Sequence, residues 1–87
     1  MFRVEYSKKA HKSLSKLDRQ AAVMIYDWIE ENLVGCDNPR TFGRLLTADW
    51  RGCWRYKVGG YRIIAEILDR KVLIHIIDIG HRREIYR

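Results

Sequence analysis

Three cations, Arg55, Lys57 and Arg62, lie in two strand-like runs separated by Gly59-Gly60, and their side chains are of the types that hold phosphate groups. A Gly-Gly pair between two such runs predicts a two-residue hairpin, because the favoured turns need positive φ angles. In that register Lys57 lies opposite Arg62, and side chains alternate between the two faces of a sheet. The sequence therefore predicts that all three cations share one face.

The predicted pairing of Lys57 with Arg62 has an energetic cost. Like charges directly opposite each other across two strands destabilise the sheet by up to about 1 kcal/mol. An anion bound between the two side chains would remove that cost. Three clustered cations favour such an anion site, and the alternative is that they are ordinary solvated residues.

The carboxy-terminal stretch GHRREIYR (80–87) is the second place with residues suited to phosphate chemistry. Arg82 and Tyr86 are four positions apart, so they share a side if the stretch makes a helical turn. His81 carries an imidazole, the side chain that changes charge near neutral pH, and is a candidate general acid or base. The alternative is a solvated basic end with Tyr86 packed on the edge of the sheet.

The amino-terminal half predicts one strand followed by two helices. FRVEYS (2–7) alternates apolar and polar residues as a half-buried strand does, and Ser7 is suited to cap a helix. Apolar residues then recur at helical spacing, and Asp18 is a second candidate cap. We expect helices over about 8–17 and 19–33, and one continuous helix is the alternative.

The second half predicts three strands after an irregular segment. TFGRLLTADWRG is interpreted as irregular or as a short helical turn. A two-residue Asp69-Arg70 turn would pair Ala65 with Ile74 and give one wholly apolar face. The predicted strands are CWRYKV (53–58), YRIIAEIL (61–68) and KVLIHIIDI (71–79).

The predicted fold class is α+β, with the order βααβββ: two amino-terminal helices on one face of a small, mostly antiparallel four-stranded sheet. The other face would expose apolar side chains that a further chain or the carboxy-terminal stretch must cover. Those residues are Ile64, Leu73, Ile77 and Ile79.

Length and charge restrict the function further. Eighty-seven residues make one domain, 1–87, and a net charge of +6 predicts an anionic partner such as nucleic acid, an acidic protein or an anionic membrane. No run is long enough to span a membrane, and charged residues interrupt any secretory leader. Cys36 and Cys53 are interpreted as reduced thiols in a cytosol, and the Cys and His spacing argues against zinc.

The segments WRYKVGGYRIIAEI and KVLIHIIDIGHRREIY resemble the RelE-type toxins of the RelE/ParE superfamily of prokaryotic toxin–antitoxin systems. NPRTFGRLL and FRVEYSKKAHKSLSKLD fit the same pattern, so the resemblance covers nearly the whole chain. It implies a cytoplasmic endoribonuclease that needs no metal or other cofactor. Such a toxin cuts mRNA in the ribosomal A site and so inhibits translation. The hypothesis for its chemistry is attack by a ribose 2′-OH, which leaves a 2′,3′-cyclic phosphate and a 5′-OH.

The resemblance also implies site residues. Arg55 stands where the best-known branch has Lys, and Arg stays protonated, so its expected role is charge stabilisation rather than proton transfer. His81 falls at the neighbouring basic position, which is Lys in some members. The implied catalytic residues are Arg55, Lys57, Arg62, Arg82 and Tyr86, with His81 beside them, and the implied RNA-binding residues are Arg51, Arg83 and Arg87.

The implied partners are a cognate antitoxin, the ribosome with its rRNA, and mRNA, with operator DNA reached only through the antitoxin complex. No membrane partner is implied; the free toxin would be a monomer and the toxin–antitoxin complex a hetero-oligomer. Two other functions stay open. One is a ParE-like toxin that acts on DNA gyrase without catalysis, and the other is a non-catalytic RNA-binding module.

Overall fold

The computed structural model describes residues 1–81, which form an α+β fold with two helices against a five-stranded sheet. The strands lie in the order β1-β5-β4-β3-β2; β1 is parallel to β5 and the other neighbours are antiparallel. The predicted fold class is confirmed, but the sheet has five strands where four were predicted from the sequence. In chain order the elements are β1 (Arg3–Tyr6), α1 (Lys8–Lys16), α2 (Arg19–Asn32), β2 (Gly43–Leu45), β3 (Trp54–Val58), β4 (Tyr61–Leu68), a 3-10 turn (Asp69–Lys71) and β5 (Leu73–His81).

Two polar caps define where the helices begin. The Ser7 hydroxyl accepts a hydrogen bond from the backbone N–H of Ala10 at 2.9 Å, and the Asp18 carboxylate accepts one from Ala21 at 2.8 Å. Each cap stabilises its helix by about 1 kcal/mol. Leu17 between the helices has an extended backbone, so the predicted break at Asp18 is confirmed. Neither helix within residues 1–81 has the length and apolarity needed to cross a membrane.

The core lies between the two helices and one face of the sheet, here called the helix-covered face. Apolar residues recur along α2 at helical spacing and meet the alternating apolar residues of β3, β4 and β5. The buried cluster comprises Ala10, Ile25, Ile29, Leu33, Tyr56, Val58, Ile63, Ala65, Ile74, Ile76 and Ile79.

The connection from β4 to β5 differs from the predicted two-residue turn. The 3-10 turn is followed by Val72 in the left-handed region, with φ of 51°. As a result Ala65 pairs with Ile76 rather than with Ile74, so the predicted register is wrong by two residues. Because the side-chain period is also two, the shift leaves the same apolar residues on the helix-covered face.

A β-bulge in β5 changes which residues face the helices. The pairing steps from Ala65–Ile76 to Ile64–Asp78, so Ile77 has no partner on β4. The extra residue reverses the alternation, and Ile79 joins the buried cluster. The expectation that Ile79 lies on the open face is therefore wrong.

The open face is also less exposed than predicted. Ile64 is fully buried and Leu73 is 5% exposed. Neither side chain therefore needs a further chain to shield it from water.

Strand β2 depends on the absence of a side chain at Gly43. Gly43 pairs with Tyr56, and a Cβ atom placed on it would lie 2.9 Å from the Tyr56 ring and 3.2 Å from that of Trp54. These distances are shorter than ordinary carbon–carbon contacts, so glycine lets β2 lie close against β3. The segment interpreted as irregular therefore contributes the edge strand of the sheet.

Candidate functional site

The β3–β4 hairpin brings the three predicted cations together. Lys57 pairs with Arg62, and Arg55 pairs with Ile64, as the two-residue turn predicts. Gly59 in the turn has φ of 59°, a backbone conformation that glycine adopts without steric cost. The predicted hairpin register is confirmed, and it places these cations on the face opposite the helices.

Strand β2 adds a fourth cation that sequence reasoning missed. Arg44 pairs with Arg55 across the β2–β3 ladder and therefore points to the same side of the sheet. We call the group formed by Arg44, Arg55, Lys57 and Arg62 the basic face. The short alternation Gly43-Arg44-Leu45 was the only signal for this strand, and three residues are too few to be distinguished from a loop.

Two guanidinium groups on the basic face have buried atoms that lack a partner. Arg62 is 8% exposed, and its Nη1 donates to the backbone carbonyl of Tyr61 at 3.0 Å. The Nε atoms of Arg62 and Arg55 are buried and make no hydrogen bond to the described residues. A buried donor left unpaired costs about 1–3 kcal/mol, and more when the group is charged. Hydrogen bonds within the described residues therefore leave both guanidinium groups incompletely satisfied.

The charges on the basic face are not balanced by ion pairs with acids in the described part of the chain. Lys57–Arg62 and Arg44–Arg55 are both like-charge pairs across neighbouring strands. No ion pair within residues 1–81 involves any of these four side chains. The basic face therefore concentrates positive charge where a phosphodiester can be held by charge-assisted hydrogen bonds.

Two carboxylates lie near the basic face, and each already has a partner. Glu66 contacts the Nδ1 atom of His75 at 3.0 Å. Asp78 is 8% exposed, accepts a hydrogen bond from the Ser13 hydroxyl at 2.8 Å and lies 3.5 Å from the Lys9 ammonium. Neither acid forms an ion pair with a cation of the basic face within residues 1–81.

The thiols are poorly suited to nucleophilic chemistry. Cys36 and Cys53 are free and half-buried, and burial raises the pKa of each thiol above its usual value. Both therefore stay protonated near neutral pH, and the thiol is a far weaker nucleophile than the thiolate. Within residues 1–81 no three His, Cys, Asp or Glu side chains cluster as ligands of a metal ion would. Charge stabilisation by cations is the chemistry that this part of the chain offers.

His81 lies on the other side of the sheet from the basic face. It pairs with Tyr61, whereas Arg62 pairs with Gly80, and neighbouring pairs point to opposite faces. The rings of His81 and Tyr61 meet edge to face at 5.7 Å between centroids. The described structure thus does not group His81 with the four cations.

Arg51, predicted to bind RNA, is exposed in the loop between β2 and β3. Its neighbour Trp50 is half-buried, with the Lys9 ammonium 5.7 Å from the centroid of its ring. This contact joins the loop to the beginning of α1. The predicted site residues Arg82, Arg83, Tyr86 and Arg87 lie outside the described residues, and their roles stay predictions.

Several solved structures share this fold. The toxin–antitoxin complex RelBE2 from Mycobacterium tuberculosis contains a chain with a TM-score of 0.84 at 22% identity, covering 93% of this chain and 91% of that one. The isolated RelE toxin of E. coli has a TM-score of 0.73 at 24% identity, and the match covers 99% of this chain and 92% of that one. A chain of the archaeal RelE–RelB complex from Pyrococcus horikoshii has a TM-score of 0.70 at 22% identity, and the match covers 93% of this chain and 94% of that one. At these identities the likeness establishes the fold.

The sequence itself carries the family assignment. A comparison with curated proteins found no match. The model of a protein family described as the ParE toxin of the type II toxin–antitoxin system parDE matches residues 4–86. Because that match spans nearly the whole chain, this protein belongs to the ParE toxin family of type II toxin–antitoxin systems, within the RelE/ParE superfamily.

Proposed function

We propose that this toxin is a ribosome-dependent, metal-independent endoribonuclease that cleaves mRNA in the ribosomal A site and is neutralised by its cognate antitoxin. The observation that supports this function most directly is the basic face. It groups four cations, of which Arg44 and Lys57 are exposed, and none of the four forms an ion pair within residues 1–81. A phosphodiester supplies acceptor oxygens for donors of this kind. The likeness to the solved RelE toxins adds support from the fold.

In the proposed reaction the ribose 2′-OH attacks the adjacent phosphorus. The bond from the 2′ oxygen to phosphorus forms, the bond from phosphorus to the 5′ oxygen breaks, and the products are a 2′,3′-cyclic phosphate and a 5′-OH. Lys57, exposed at the centre of the basic face, accepts or relays the 2′ proton. Arg55 and Arg62 stabilise the extra negative charge on the phosphorane.

The remaining roles fall on the carboxy-terminal stretch. In this proposal Arg82 assists departure of the 5′ oxygen, and Tyr86 stacks on or orients a base. His81 is the least supported member of the set, because its ring packs against Tyr61 on the helix-covered face. Arg83, Arg87 and Arg51 would contact the RNA backbone.

Within residues 1–81 the carboxylates nearest the basic face, those of Glu66 and Asp78, already have partners, so correct placement of the substrate must supply much of the rate. Holding the 2′-OH in line with the phosphorus turns the reaction into an effectively unimolecular step. The ribosome would provide that placement for the A-site codon. Free RNA should accordingly be cut poorly.

The test is primer extension on a defined mRNA incubated with the purified toxin, with and without programmed ribosomes that have an empty A site. Cuts that arise only with ribosomes, and inside the A-site codon, are the expected result. The absence of cuts in both samples, from folded protein, would reject the nuclease. Lys57→Ala and Arg82→Ala test the assignment of residues, because normal cleavage by both variants would show it to be wrong.

A second candidate function rests on the family match. The matching family model describes ParE toxins of type II toxin–antitoxin systems. A ParE-like toxin that acts on DNA gyrase was the alternative left open from the sequence, and an interaction of that kind needs no catalytic cations. Inhibition of gyrase in a supercoiling assay, together with no cleavage of ribosome-bound mRNA, would favour this alternative.

A further inference from the structure

A cleft of about 280 Å³ lies between the last turns of α1 and the end of β5. Its volume is near the lower limit of about 300 Å³ for small-molecule sites. Its wall combines a hydroxyl, an ammonium and apolar carbon. The lining residues are Ser13, Lys16, Leu17, Ile79 and Gly80.

The cleft follows from the different lengths of two neighbouring strands. Strand β1 pairs with β5 only as far as Tyr6–Ile76, and the chain then turns into α1. Beyond that point α1 rather than a strand lies along the free edge of β5. The Ser7 hydroxyl binds the carbonyl of Ile77 at 2.6 Å, and the Asp78 carboxylate binds the N–H of Ile79 at 2.8 Å. The cleft lies next along β5, at Ile79 and Gly80.

The cleft adjoins the basic face through Gly80. Gly80 pairs with Arg62, which pairs in turn with Lys57. Neighbouring strands lie about 4.8 Å apart, so the rim of the cleft is one strand away from Arg62. Gly80 has no side chain to separate the two sites. Arg62 and the cleft thus lie on neighbouring strands at this end of the sheet.

The charge at the cleft favours an anion. Lys16 has no ion pair within residues 1–81, and Lys12, one turn earlier on the same side of α1, is also exposed and unpaired there. Like charges at this spacing weaken a helix by a few tenths of a kcal/mol. The nearby acids are engaged, since Asp78 binds Ser13 and Lys9 while Asp18 caps α2.

We infer that this cleft is a second phosphate subsite, which binds the nucleotide next to the reacting phosphodiester. Lys16 contacts the phosphate of that nucleotide, and Leu17 supports its sugar or base. This inference rests on the proposed ribonuclease function and extends it to a second position on the RNA. Lys16 is a positioning residue in this scheme, because it does not touch the reacting atoms.

The experiment compares short single-stranded oligonucleotides that differ by one phosphate. The probes are a dinucleotide with one phosphodiester and two trinucleotides, extended at the 5′ or the 3′ end, all 2′-deoxy so that none is cut. NMR titration gives the affinity of each probe for wild type, Lys16→Gln and Lys71→Gln. Lys71→Gln removes the same charge from the exposed turn between β4 and β5 and is the matched control.

One trinucleotide should bind wild type about threefold to fivefold more tightly than the dinucleotide, the gain typical of one exposed ion pair. Lys16→Gln should lose that gain and keep the dinucleotide affinity, whereas Lys71→Gln should keep both. The slope of a plot of log binding constant against log salt concentration should be shallower by about 0.7 for trinucleotide binding to Lys16→Gln. Unchanged thermal midpoints would confirm that both variants are folded.

The outcomes separate this inference from the proposed function. Equal affinity of wild type for all three probes, or equal behaviour of the two variants, would overturn the subsite whatever the ribosome assay shows. A length-dependent gain that depends on Lys16, without cleavage on ribosomes, would support the subsite and reject the nuclease. Failure of wild type to bind any probe would overturn the subsite, whereas the nuclease is decided by the ribosome assay alone.

Discussion

The two faces of the sheet differ in what their side chains contact. On the helix-covered face, Ile63, Ala65 and Ile76 are fully buried against apolar neighbours. On the other face, Lys57 and Arg62 lie opposite each other without an acidic partner among the described residues. One face stabilises the fold, and the other retains charge repulsion that a bound anion would relieve.

The difference shows how a small domain can separate stability from function. Successive residues of one strand point to opposite faces, so Tyr56 enters the core while Arg55 and Lys57 on either side of it form the site. The core then holds the backbone of the site in place. Substitutions on the two faces should therefore have opposite consequences.

The largest loss of stability should come from the helix-covered face. Ile76→Ala removes a fully buried side chain at the centre of β5 and should lower the free energy of unfolding by about 2–5 kcal/mol. Urea denaturation measures this change. Val23→Ala, at a position 49% exposed on α2, is the control and should stay within about 0.5 kcal/mol of wild type. Equal stabilities of the two variants would contradict the division between faces.

A smaller loss of stability should follow from a substitution in β2, the edge strand that brings Arg44 to the basic face. Gly43→Ala introduces a Cβ atom 2.9 Å from the Tyr56 ring, and overpacking of this kind costs about 1–3 kcal/mol. Hydrogen exchange of the Leu46 amide, which donates to the Cys53 carbonyl at 2.9 Å, would report separation of β2 from β3. Gly60→Ala is the control. The atom nearest to its added Cβ lies at 3.7 Å, an ordinary contact, so protection of the Leu46 amide from exchange should be unchanged.

A substitution on the basic face should not lower the stability of the fold, in contrast to the two substitutions above. Lys57→Gln removes the repulsion with Arg62 and should leave stability unchanged or raise it by up to about 1 kcal/mol. Cleavage of ribosome-bound mRNA should fall by about 10²-fold or more, because a charged group at the reacting phosphate is lost. Thermal denaturation and primer extension on the same preparation measure both effects. A clear loss of stability would show that Lys57 supports the fold.

The smallest effect concerns an ion pair remote from both faces. Arg40 binds both carboxylate oxygens of Asp69, at 3.1 and 2.8 Å, and thereby lowers the pKa of Asp69 below its usual value of 3.8. Because the folded-state pKa is lowered, the stabilisation is complete above the ordinary carboxyl pKa and is lost as pH falls through the lowered one. The difference in thermal midpoint between wild type and Asp69→Asn should therefore vanish in strong acid. A constant difference at every pH would mean that the substitution acts through packing.

The hairpin and the helix caps were predictable from sequence because each depends on local chemistry. Gly59-Gly60 sets the pairing of Lys57 with Arg62, and Ser7 and Asp18 each bind a backbone N–H three residues away. The 3-10 turn before β5 was not predictable, since its Val72 adopts a left-handed conformation that β-branched residues rarely take. Strand β2 and the bulge at Ile77 were missed because both exist only through pairing with distant segments.

The sequence by itself determined the α+β class, the shared face of Arg55, Lys57 and Arg62, and the resemblance to RelE-type toxins. Periodicity and turn chemistry are local properties, and a register set by two glycines leaves little freedom. The tertiary structure decided that Arg44 joins those cations, that His81 lies on the opposite face and that a cleft opens beside Gly80. Those features depend on which strands become neighbours and where their pairing stops, and contacts between distant segments set both.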